Sequence, residues 1–234
     1  RNFRNEGIDT NHNPEFTMLE SYQAYADYEA VMEQTEALVT NACLAVHGTL
    51  QIEYQGQALD LTAPWPRVRL FDALAQATGH DLGAVAGDEA AREAEARAVA
   101  GEIGVHLQPS DGFGQIVDAI LKKYVIPRLV QPTFITEYPV ELSPLAKRRA
   151  DDPSLTERFQ PVICGLEVGN AFSELNNPID QRDRFEAQSR RAARGDDEAM
   201  PYDEDYVTAL EYGMPPAGGL GLGVDRLVML LCDQ

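Results

Sequence analysis

Glycine alternates with leucine or valine over residues 219–224, directly before Asp225 and Arg226. Successive side chains of a β-strand point to opposite faces, so this pattern predicts a strand with one face stripped of side chains. Such a face lets a flat ligand approach the backbone; the alternative is a strand that merely packs under the helix that follows. The glycines alternate and no parallel βαβ unit surrounds them, so they are not the GxGxxG fingerprint of dinucleotide-binding proteins. Hydride chemistry is therefore unsupported.

Composition and charge narrow the class of protein. The 234 residues are 44% apolar, with no apolar run long enough to span a membrane and no signal peptide, which predicts one large globular domain with or without an inserted lobe. Nineteen Lys and Arg against thirty-eight Asp and Glu give a net charge of −19, so nucleic acid contact requires a local basic patch. Cys43, Cys164 and Cys232 lack metal-ligand spacing. We interpret them as reduced, buried and inert, as in a cytoplasmic protein.

Apolar periodicity divides the chain into three parts. Residues 1–66 are predicted to contain a strand end at 3–5, a polar loop at 6–16, a returning strand at 17–22, a helix at 27–47 and a hairpin that turns at 55–57. Residues 67–125 are mostly helical, and we interpret them as an insertion. Residues 126–234 are predicted to contain strands beyond Val130, a helix from Pro178 to about Arg194, a turn at 195–200, a helix at 203–213 and the glycine-rich strand with its helix. The fold class is therefore α+β: an antiparallel sheet flanked by helices, with a small helical insertion.

Polar side chains share faces on two of the predicted strands. Glu20 and Tyr22 lie on one face of the first, and Asn170, Phe172 and Glu174 lie on one face of the second, because the period is two. A carboxylate in a half-buried strand is costly unless it is paired. Two carboxylates, a phenol and an amide in one concavity suit an ammonium ligand. The alternative, two unrelated solvated carboxylates, is left open by spacing alone.

Cationic and aromatic residues give a second set of candidates. Arg4 ends the first strand, and we predict that the hairpin places it opposite Glu20 or Tyr22, although such a charge set is also common on a strand surface. Arg226 stands where strand becomes helix, a position suited to a nucleobase or phosphate. His12 lies in the polar loop and is placed to contact phosphate. Four further residues are interpreted as structural, with Trp65 a packing plug: His47, His80, His106 and Trp65.

Three segments together resemble motifs 2 and 3 of the class II aminoacyl-tRNA synthetases: FRNEG at 3–7, HNPEFTMLE at 12–20 and GLGLGVDRLVML at 219–230. Within that class, the run from His12 to Tyr28 is similar to the lysyl-tRNA synthetases, whereas aspartyl and asparaginyl relatives differ in and after its PEF segment. The segments at 132–147, 167–185 and 195–216 resemble the same family. The similarity covers essentially the whole chain.

The resemblance implies a fold and a reaction. The fold is an antiparallel sheet flanked by helices, with a helical insertion between motifs 2 and 3 that matches residues 67–125. The reaction is that of a cytoplasmic lysine–tRNA ligase: L-lysine attacks the α-phosphorus of ATP to give lysyl-adenylate, and the lysyl group is then passed to a terminal ribose of tRNA(Lys). Mg²⁺ assists the first step. The full-length enzyme is expected to be a homodimer.

The same resemblance assigns roles to individual residues. The catalytic residues are Arg4 and Arg226, with Arg4 in contact with both the lysine carboxylate and the α-phosphate. The ATP-binding residues are Arg4, Glu6, His12, Asn13, Phe16, Glu167 and Arg226: Glu6 reads the adenine amino group, Phe16 and Arg226 stack on its two faces, His12 and Asn13 steady the triphosphate, and Glu167 ligates Mg²⁺. The lysine-binding residues are Arg4, Glu20, Tyr22, Asn170, Phe172 and Glu174, of which Glu20, Tyr22 and Glu174 hold the ε-ammonium.

The chain departs from the family pattern in two respects. Gln160 stands where many members have a second acidic residue, which leaves the number of Mg²⁺ ions open. Motif 1 and the anticodon-binding barrel are absent from these residues, so we expect a catalytic-core fragment. One alternative is a paralogue that attaches lysine or an analogue to a translation factor; the insertion and the GDDEAM segment disfavour it. The other is a non-catalytic module that binds lysine or an adenylate, disfavoured by Arg4, Glu167 and Arg226.

Overall fold

A seven-stranded, mostly antiparallel sheet forms the centre of the fold, which confirms the predicted α+β class. The computed structural model describes residues 1–4, 8, 12–193, 195 and 199–234. The strands are β1 (Asn2–Phe3), β2 (Glu15–Phe16), β3 (Met18–Ala24), β4 (Gln51–Tyr54), β5 (Gln57–Asp60), β6 (Arg67–Arg69), β7 (Thr133–Thr136), β8 (Arg158–Ile163), β9 (Leu166–Glu167), β10 (Gly169–Ser173) and β11 (Ala217–Gly223). The order across the sheet is β3-β11-β10-β8-β7-β6, and β9 pairs with β8. Only β6 and β7 run parallel among these pairs.

Helices pack on both faces of this sheet. They are α1 (Tyr28–His47), α2 (Leu70–Thr78), α3 (Glu89–Glu102), α4 (Phe113–Tyr124), α5 (Pro178–Ala192), α6 (Glu204–Glu211) and α7 (Val224–Cys232). The predicted helix at 27–47 is confirmed, because the Asp27 carboxylate accepts hydrogen bonds from the first turn of α1 and Gly48 ends the helix with φ +69°. These are the N-cap and left-handed C-cap roles favoured for aspartate and glycine.

The two faces of the sheet are covered differently. On one face, Val31 and Val39 of α1 join Phe159, Leu220 and Leu231 in a continuous apolar core. On the other face, α2, α3 and α4 cover only the half of the sheet built from β6, β7 and β8, where they pack around Ile135 and Val162. Among the described helices, α2, α3 and α4 do not extend over the half built from β3, β11 and β10. The surface of β3, β11 and β10 therefore lies open beside the helices α2, α3 and α4.

The glycine-rich strand β11 satisfies both of the interpretations that the sequence left open. A Cβ on Gly218 would lie 2.4 Å from Cγ2 of Val31, so this glycine lets the strand pack closely under α1. Gly219 and Gly221 alternate with it and face the opposite, open side, where they pair with β3 and β10. The strand is stripped of side chains on the open face and tightly packed on the other.

The first hairpin has a different register from the one we predicted. Asn2 pairs with Phe16 and Phe3 with Glu15, and the backbone N–H of Arg4 donates to the carbonyl of Pro14. Arg4 therefore does not lie opposite Glu20 or Tyr22 in the hairpin, and that prediction is wrong. The register of a hairpin is fixed by its loop and turn, and here β1 pairs with the short strand β2 that precedes β3.

A second hairpin and a tryptophan close the α1 side of the core. β4 and β5 pair with Gln55 and Gly56 at the turn, both at positive φ, as the sequence predicts and as two-residue turns require. Trp65 is 3% exposed, its ring centroid lies 5.2 Å from that of Phe134, and its indole N–H donates to the carbonyl of Leu61. The prediction that Trp65 is a packing plug is confirmed.

The helical block between the two β regions is attached to the sheet itself. Its first residues, Arg67–Arg69, form β6 at the sheet edge instead of the start of a helix. The division into residues 1–66, 67–125 and 126–234 stays a prediction. The predicted helices near 178–194 and 203–213 are confirmed as α5 and α6, whereas part of the predicted turn at 195–200 lies outside the described residues.

The cysteines match their prediction only in part. All three are free, and Cys43 is buried as predicted, but Cys164 is only partly buried and Cys232 is exposed in the last turn of α7. The prediction that it is buried is wrong because the helix ends at the surface. Throughout the described ranges, no three His, Cys, Asp or Glu side chains form a metal-binding group. No described helix combines the length and apolar character that crossing a membrane requires.

Candidate functional site

An open cavity of about 770 Å³ lies on the half of the sheet that contains β3, β11 and β10. Every predicted site residue that the structure describes lines it: Arg4, His12, Asn13, Phe16, Glu20, Tyr22, Gln160, Glu167, Asn170, Phe172, Glu174 and Arg226. Glu6, predicted to read adenine, lies outside the described residues. The cavity has the size usual for small-molecule sites.

Strand register explains how the floor of this cavity forms. Gly221 pairs with Glu20 on one side and Asn170 on the other, and Gly219 pairs in the same way with Tyr22 and Phe172. Paired residues project from the same face of a sheet. Two rows of side chains from β3 and β10 therefore stand on either side of a strip of bare backbone.

Glu174 is the buried charge of the site. It is 6% exposed, and desolvation raises the pKa of its carboxyl to about 7. A Cβ on Gly219 would lie 1.8 Å from Oε1 of Glu174, so the absent side chain is what gives the carboxylate its place. Burial, with further contributions from Glu174 and Glu20, raises the pKa of the Tyr22 phenol. The phenol is therefore a neutral hydrogen-bonding group beside an anionic cluster.

Cationic groups line the same cavity. The guanidinium of Arg4 lies 5.2 Å from the ring centroid of Phe16, within cation–π distance. Arg226, in the first turn of α7, donates from Nη1 to the backbone carbonyl of Glu167. Its neighbour Asp225 accepts the backbone N–H of Thr17 at 2.8 Å. The motif 3 helix is thus joined to β9 and to the start of β3 through side-chain hydrogen bonds.

A short hydrogen-bond chain fixes the surroundings of Glu167. The hydroxyl of Tyr138 donates to Oε1 of Gln160, and Nε2 of Gln160 faces Oε2 of Glu167 at 3.3 Å. The amide thus presents a donor, not an oxygen ligand, to the carboxylate. Mg²⁺ is commonly held by one or two carboxylates together with substrate phosphates and water. Glu167 fits that role with Gln160 outside the ligand set.

Sequence reasoning missed Arg158, Met18 and Asp225, which also line the cavity. Arg158 of β8 pairs with Phe172 of β10. Phe172 pairs in turn with Gly219, and Gly219 with Tyr22, so the four residues form one line across the strands. The period of two from Gln160 puts Arg158 on the Gln160 face of β8. That signal was present in the sequence, but the pairing of β8 with β10 was needed to bring Arg158 to the cavity.

A larger cavity, of about 880 Å³, lies between the start of α4 and α5. Two of its cations already pair with protein carboxylates: the half-buried Arg92 contacts Glu141 at 2.8 Å, and the buried Arg184 contacts Asp180 at 3.0 Å. The smaller cavity is the stronger candidate because it combines a strongly shifted carboxyl pKa with convergent polar groups.

Comparison with known proteins identifies the family to which this fold belongs. The family described as tRNA synthetases class II (D, K and N) matches residues 1–234. The chain therefore belongs to the class II tRNA synthetases of this D, K and N group.

Three individual relatives of this chain are all lysine–tRNA ligases. The chain is 56% identical over 234 residues to the lysine–tRNA ligase of Pelotomaculum thermopropionicum, 55% to that of Carboxydothermus hydrogenoformans and, over 235 residues, 52% to that of Chloroflexus aurantiacus. Each alignment covers 100% of this chain but only 46–47% of the relative. The chain thus spans less than half the length of the relatives that it matches.

Proposed function

We propose that the protein is a lysine–tRNA ligase, which activates L-lysine with ATP to lysyl-adenylate and transfers the lysyl group to tRNA(Lys). The observation that carries the proposal is that one cavity is lined by the buried carboxylate of Glu174, the exposed carboxylate of Glu20 and the cations Arg4 and Arg226. One end of the cavity suits an ammonium ion and the other suits phosphate. The names of the relatives support the assignment to lysine.

The ammonium end explains a preference for lysine. Glu174 follows β10 and is buried in the cavity wall, while Glu20 and Tyr22 stand on β3, with β11 between the two strands. A charge-assisted hydrogen bond formed away from water is stronger than the same bond at the surface. An amino acid without a side-chain cation would leave the Glu174 carboxylate desolvated and unpaired, which is costly.

The phosphate end explains activation. In the proposed step, a carboxylate oxygen of lysine forms a bond to the α-phosphorus of ATP as the bond to pyrophosphate breaks. Arg4 would stabilise the negative charge that develops on the phosphoryl oxygens, with His12 and Asn13 on the triphosphate. Phe16, Arg226 and Glu6 would hold the adenine. Protein side chains form no covalent intermediate, so catalysis comes from positioning and electrostatics.

A divalent cation has a defined place in this scheme. Glu167 would hold Mg²⁺, which, when bound, neutralises charge on the phosphates of ATP. Gln160 would keep the Glu167 carboxylate oriented through its amide N–H₂. We propose that Glu167 is the protein carboxylate responsible for this binding, with the number of ions left to measurement.

We also propose that the full-length protein is cytoplasmic and forms a homodimer. Three free cysteines support a reducing cytoplasm. Exposed Leu44 and Val46 on α1 and Val228 on α7 support an apolar surface for a second copy in a homodimer. Sedimentation of the full-length protein tests the second point.

Amino-acid-dependent exchange of pyrophosphate into ATP tests the function. The full-length protein should catalyse exchange with L-lysine and not with arginine, ornithine, aspartate or asparagine, and should then charge tRNA(Lys). Exchange without charging would favour a paralogue that modifies a translation factor. Lysine binding without exchange would favour a non-catalytic module.

Lysine affinity should depend on pH through Glu174. With a pKa of about 7 in the free protein, the carboxyl is mostly protonated at pH 6 and mostly ionised at pH 8, while the ε-ammonium stays charged throughout. Binding the ammonium favours the ionised form, so lysine affinity should rise about tenfold from pH 6 to pH 8. Calorimetry in two buffers of different ionisation enthalpy should show proton release at pH 6. A flat affinity profile would contradict the role of Glu174.

Replacing Arg226 should weaken ATP binding. Arg226→Ala removes both the cation and its stacking plane, a loss of roughly 1–2 kcal/mol or about 5–30-fold in affinity. Arg182→Ala is the matched control, because Arg182 pairs with Glu204 at the surface and lies outside the cavity. Equal ATP affinity in the two variants, measured by fluorescence titration, would make Arg226 a structural residue.

A further inference from the structure

Arg158 is a partly buried cation at the edge of the candidate site. Its Nε donates to Oδ1 of Asn170 at 2.8 Å, and its Nη1 donates to the carbonyl of Leu142 at 2.6 Å and to Oγ of Ser143 at 3.1 Å. The guanidinium carbon lies 4.5 Å from the ring centroid of Tyr138. Hydrogen bonds from Nε and Nη1 and the contact with the Tyr138 ring thus fix the orientation of the guanidinium.

This cation is held without a carboxylate partner. It forms no ion pair with any residue in the described part of the chain, and its Nη2 donates to none of them. Burial lowers the pKa of Arg158, although a guanidinium stays charged in proteins. A desolvated and unpaired charge is a cost to stability. Such a group beside a candidate active site calls for a functional reason.

The Arg158 contact decides which way the Asn170 amide points. A guanidinium carries only donors, so the Asn170 atom that faces Nε must be the carbonyl oxygen. The amide N–H₂ of Asn170 is therefore the end left for the cavity. Because that end only donates, it cannot bond an ammonium ion, but it can bond a carboxylate oxygen.

We propose that Arg158 is a positioning residue that holds the Asn170 amide so that its N–H donates to the carboxylate of the bound amino acid. The proposal rests on the proposed function and specifies how the end of the substrate opposite the ε-ammonium is read. Asn170 and Glu20 lie in one row with Gly221 between them. Their strands are two spacings apart, about 10 Å, and the Glu174 carboxylate lies over Gly219, two residues along β11 from Gly221.

The test compares a ligand with a carboxylate and one without. In the full-length protein, Arg158→Gln should weaken L-lysine binding about tenfold, because Asn170 can then rotate. The same variant should leave unchanged the inhibition constant of 1,5-diaminopentane, which carries ammonium groups and no carboxylate. Arg158→Lys keeps the charge but loses the planar guanidinium with its several donors. It should also weaken the binding of L-lysine and leave that of 1,5-diaminopentane unchanged. Lysine binding is measured by calorimetry and inhibition by lysine-dependent pyrophosphate exchange.

A double-mutant cycle shows whether Arg158 acts through Asn170. The variant that combines Arg158→Gln with Asn170→Ala should bind lysine no worse than Asn170→Ala alone. Arg184→Gln is the matched control: Arg184 is also buried and donates to the carbonyl of Ser143, but it pairs with Asp180 outside the site. It should lower the unfolding midpoint without changing lysine affinity.

Two outcomes would overturn the proposal. Equal weakening of lysine and 1,5-diaminopentane would show a general loss of the pocket, and additive losses in the cycle would show that Arg158 does not work through Asn170. Failure of the proposed function is distinguishable, because the unmodified protein would then show neither lysine binding nor lysine-dependent exchange.

Discussion

Glu174→Gln should weaken lysine binding about 10–150-fold in the full-length protein while ATP binding scarcely changes. The substitution replaces a buried charge-assisted hydrogen bond, worth roughly 1.5–3 kcal/mol, with a neutral one of nearly the same shape. The carboxylate is 6% exposed, so water cannot screen the lost interaction. Calorimetry at pH 8, where the carboxyl is ionised, measures both affinities.

The same substitution should make the free protein more stable at pH 8. Desolvation raises the pKa of Glu174 to about 7 in the folded state, above the value in an unfolded chain. The folded state therefore holds the proton more tightly than the unfolded state. The stability contributed by the protonated carboxyl is lost as pH rises from about 4.5, the ordinary value, to about 7. The pKa lies about 2.5 pH units above its ordinary value of 4.5, and each pH unit corresponds to about 1.4 kcal/mol, so the ionised carboxylate costs roughly 3–4 kcal/mol above pH 7. A higher unfolding midpoint at pH 8 together with poorer lysine binding is the expected pair of results.

A second buried glutamate provides the control. Glu36 is 7% exposed, and its Oε1 accepts the backbone N–H of Trp65 at 2.8 Å, away from the site. Glu36→Gln should leave lysine affinity unchanged. If Glu174→Gln lowers lysine and ATP affinity equally, or lowers stability as a damaged core would, the assignment of Glu174 to the ε-ammonium is wrong.

The parts of the fold that the sequence predicted are those set by local periodicity. The alternation of glycine over 219–224 and the helical spacing after Asp27 each depend only on near neighbours, and both elements were found as predicted. Two of the errors concern pairing with residues distant in the sequence. Arg67–Arg69 forms a strand because β7 lies beside it, and Arg4 lies opposite Pro14 because β1 pairs with β2. Neither pairing has a local signal.

In the site too, local periodicity was predicted correctly and pairing between distant strands was not. A period of two places Glu20 beside Tyr22 and Asn170 beside Glu174 on strand faces, but nothing in the spacing says that β11 lies between them. The glycine-rich strand was predicted to have a bare face and Glu174 was predicted as a site residue, but only the structure shows that the Glu174 carboxylate lies directly over Gly219. Arg158 was missed for the related reason that its partner Asn170 lies on the next strand.

Gly219→Ala should weaken lysine binding about 100-fold by acting on Glu174. The new Cβ would lie 1.8 Å from Oε1 of Glu174 and 3.2 Å from Cε1 of Tyr22, so the flexible carboxylate must move. A displacement of ~1 Å in a positioned group can cost ~100-fold. Gly221→Ala is the matched control on the same face of the same strand, because its Cβ would meet only ordinary contacts, with Sδ of Met18 at 3.5 Å. Its effect should be several times smaller.

The cause of the Gly219→Ala loss can be tested with the carboxylate removed. If alanine acts by displacing Glu174, adding Gly219→Ala to the Glu174→Gln variant should cost far less than it does in the unmodified protein. If it simply blocks the cavity, the full loss should appear in both backgrounds. Backbone strain does not enter, since Gly219 has no positive φ. A full and additive loss would mean that the bare strip serves the ligand directly, and that making room for the buried carboxylate is not its function.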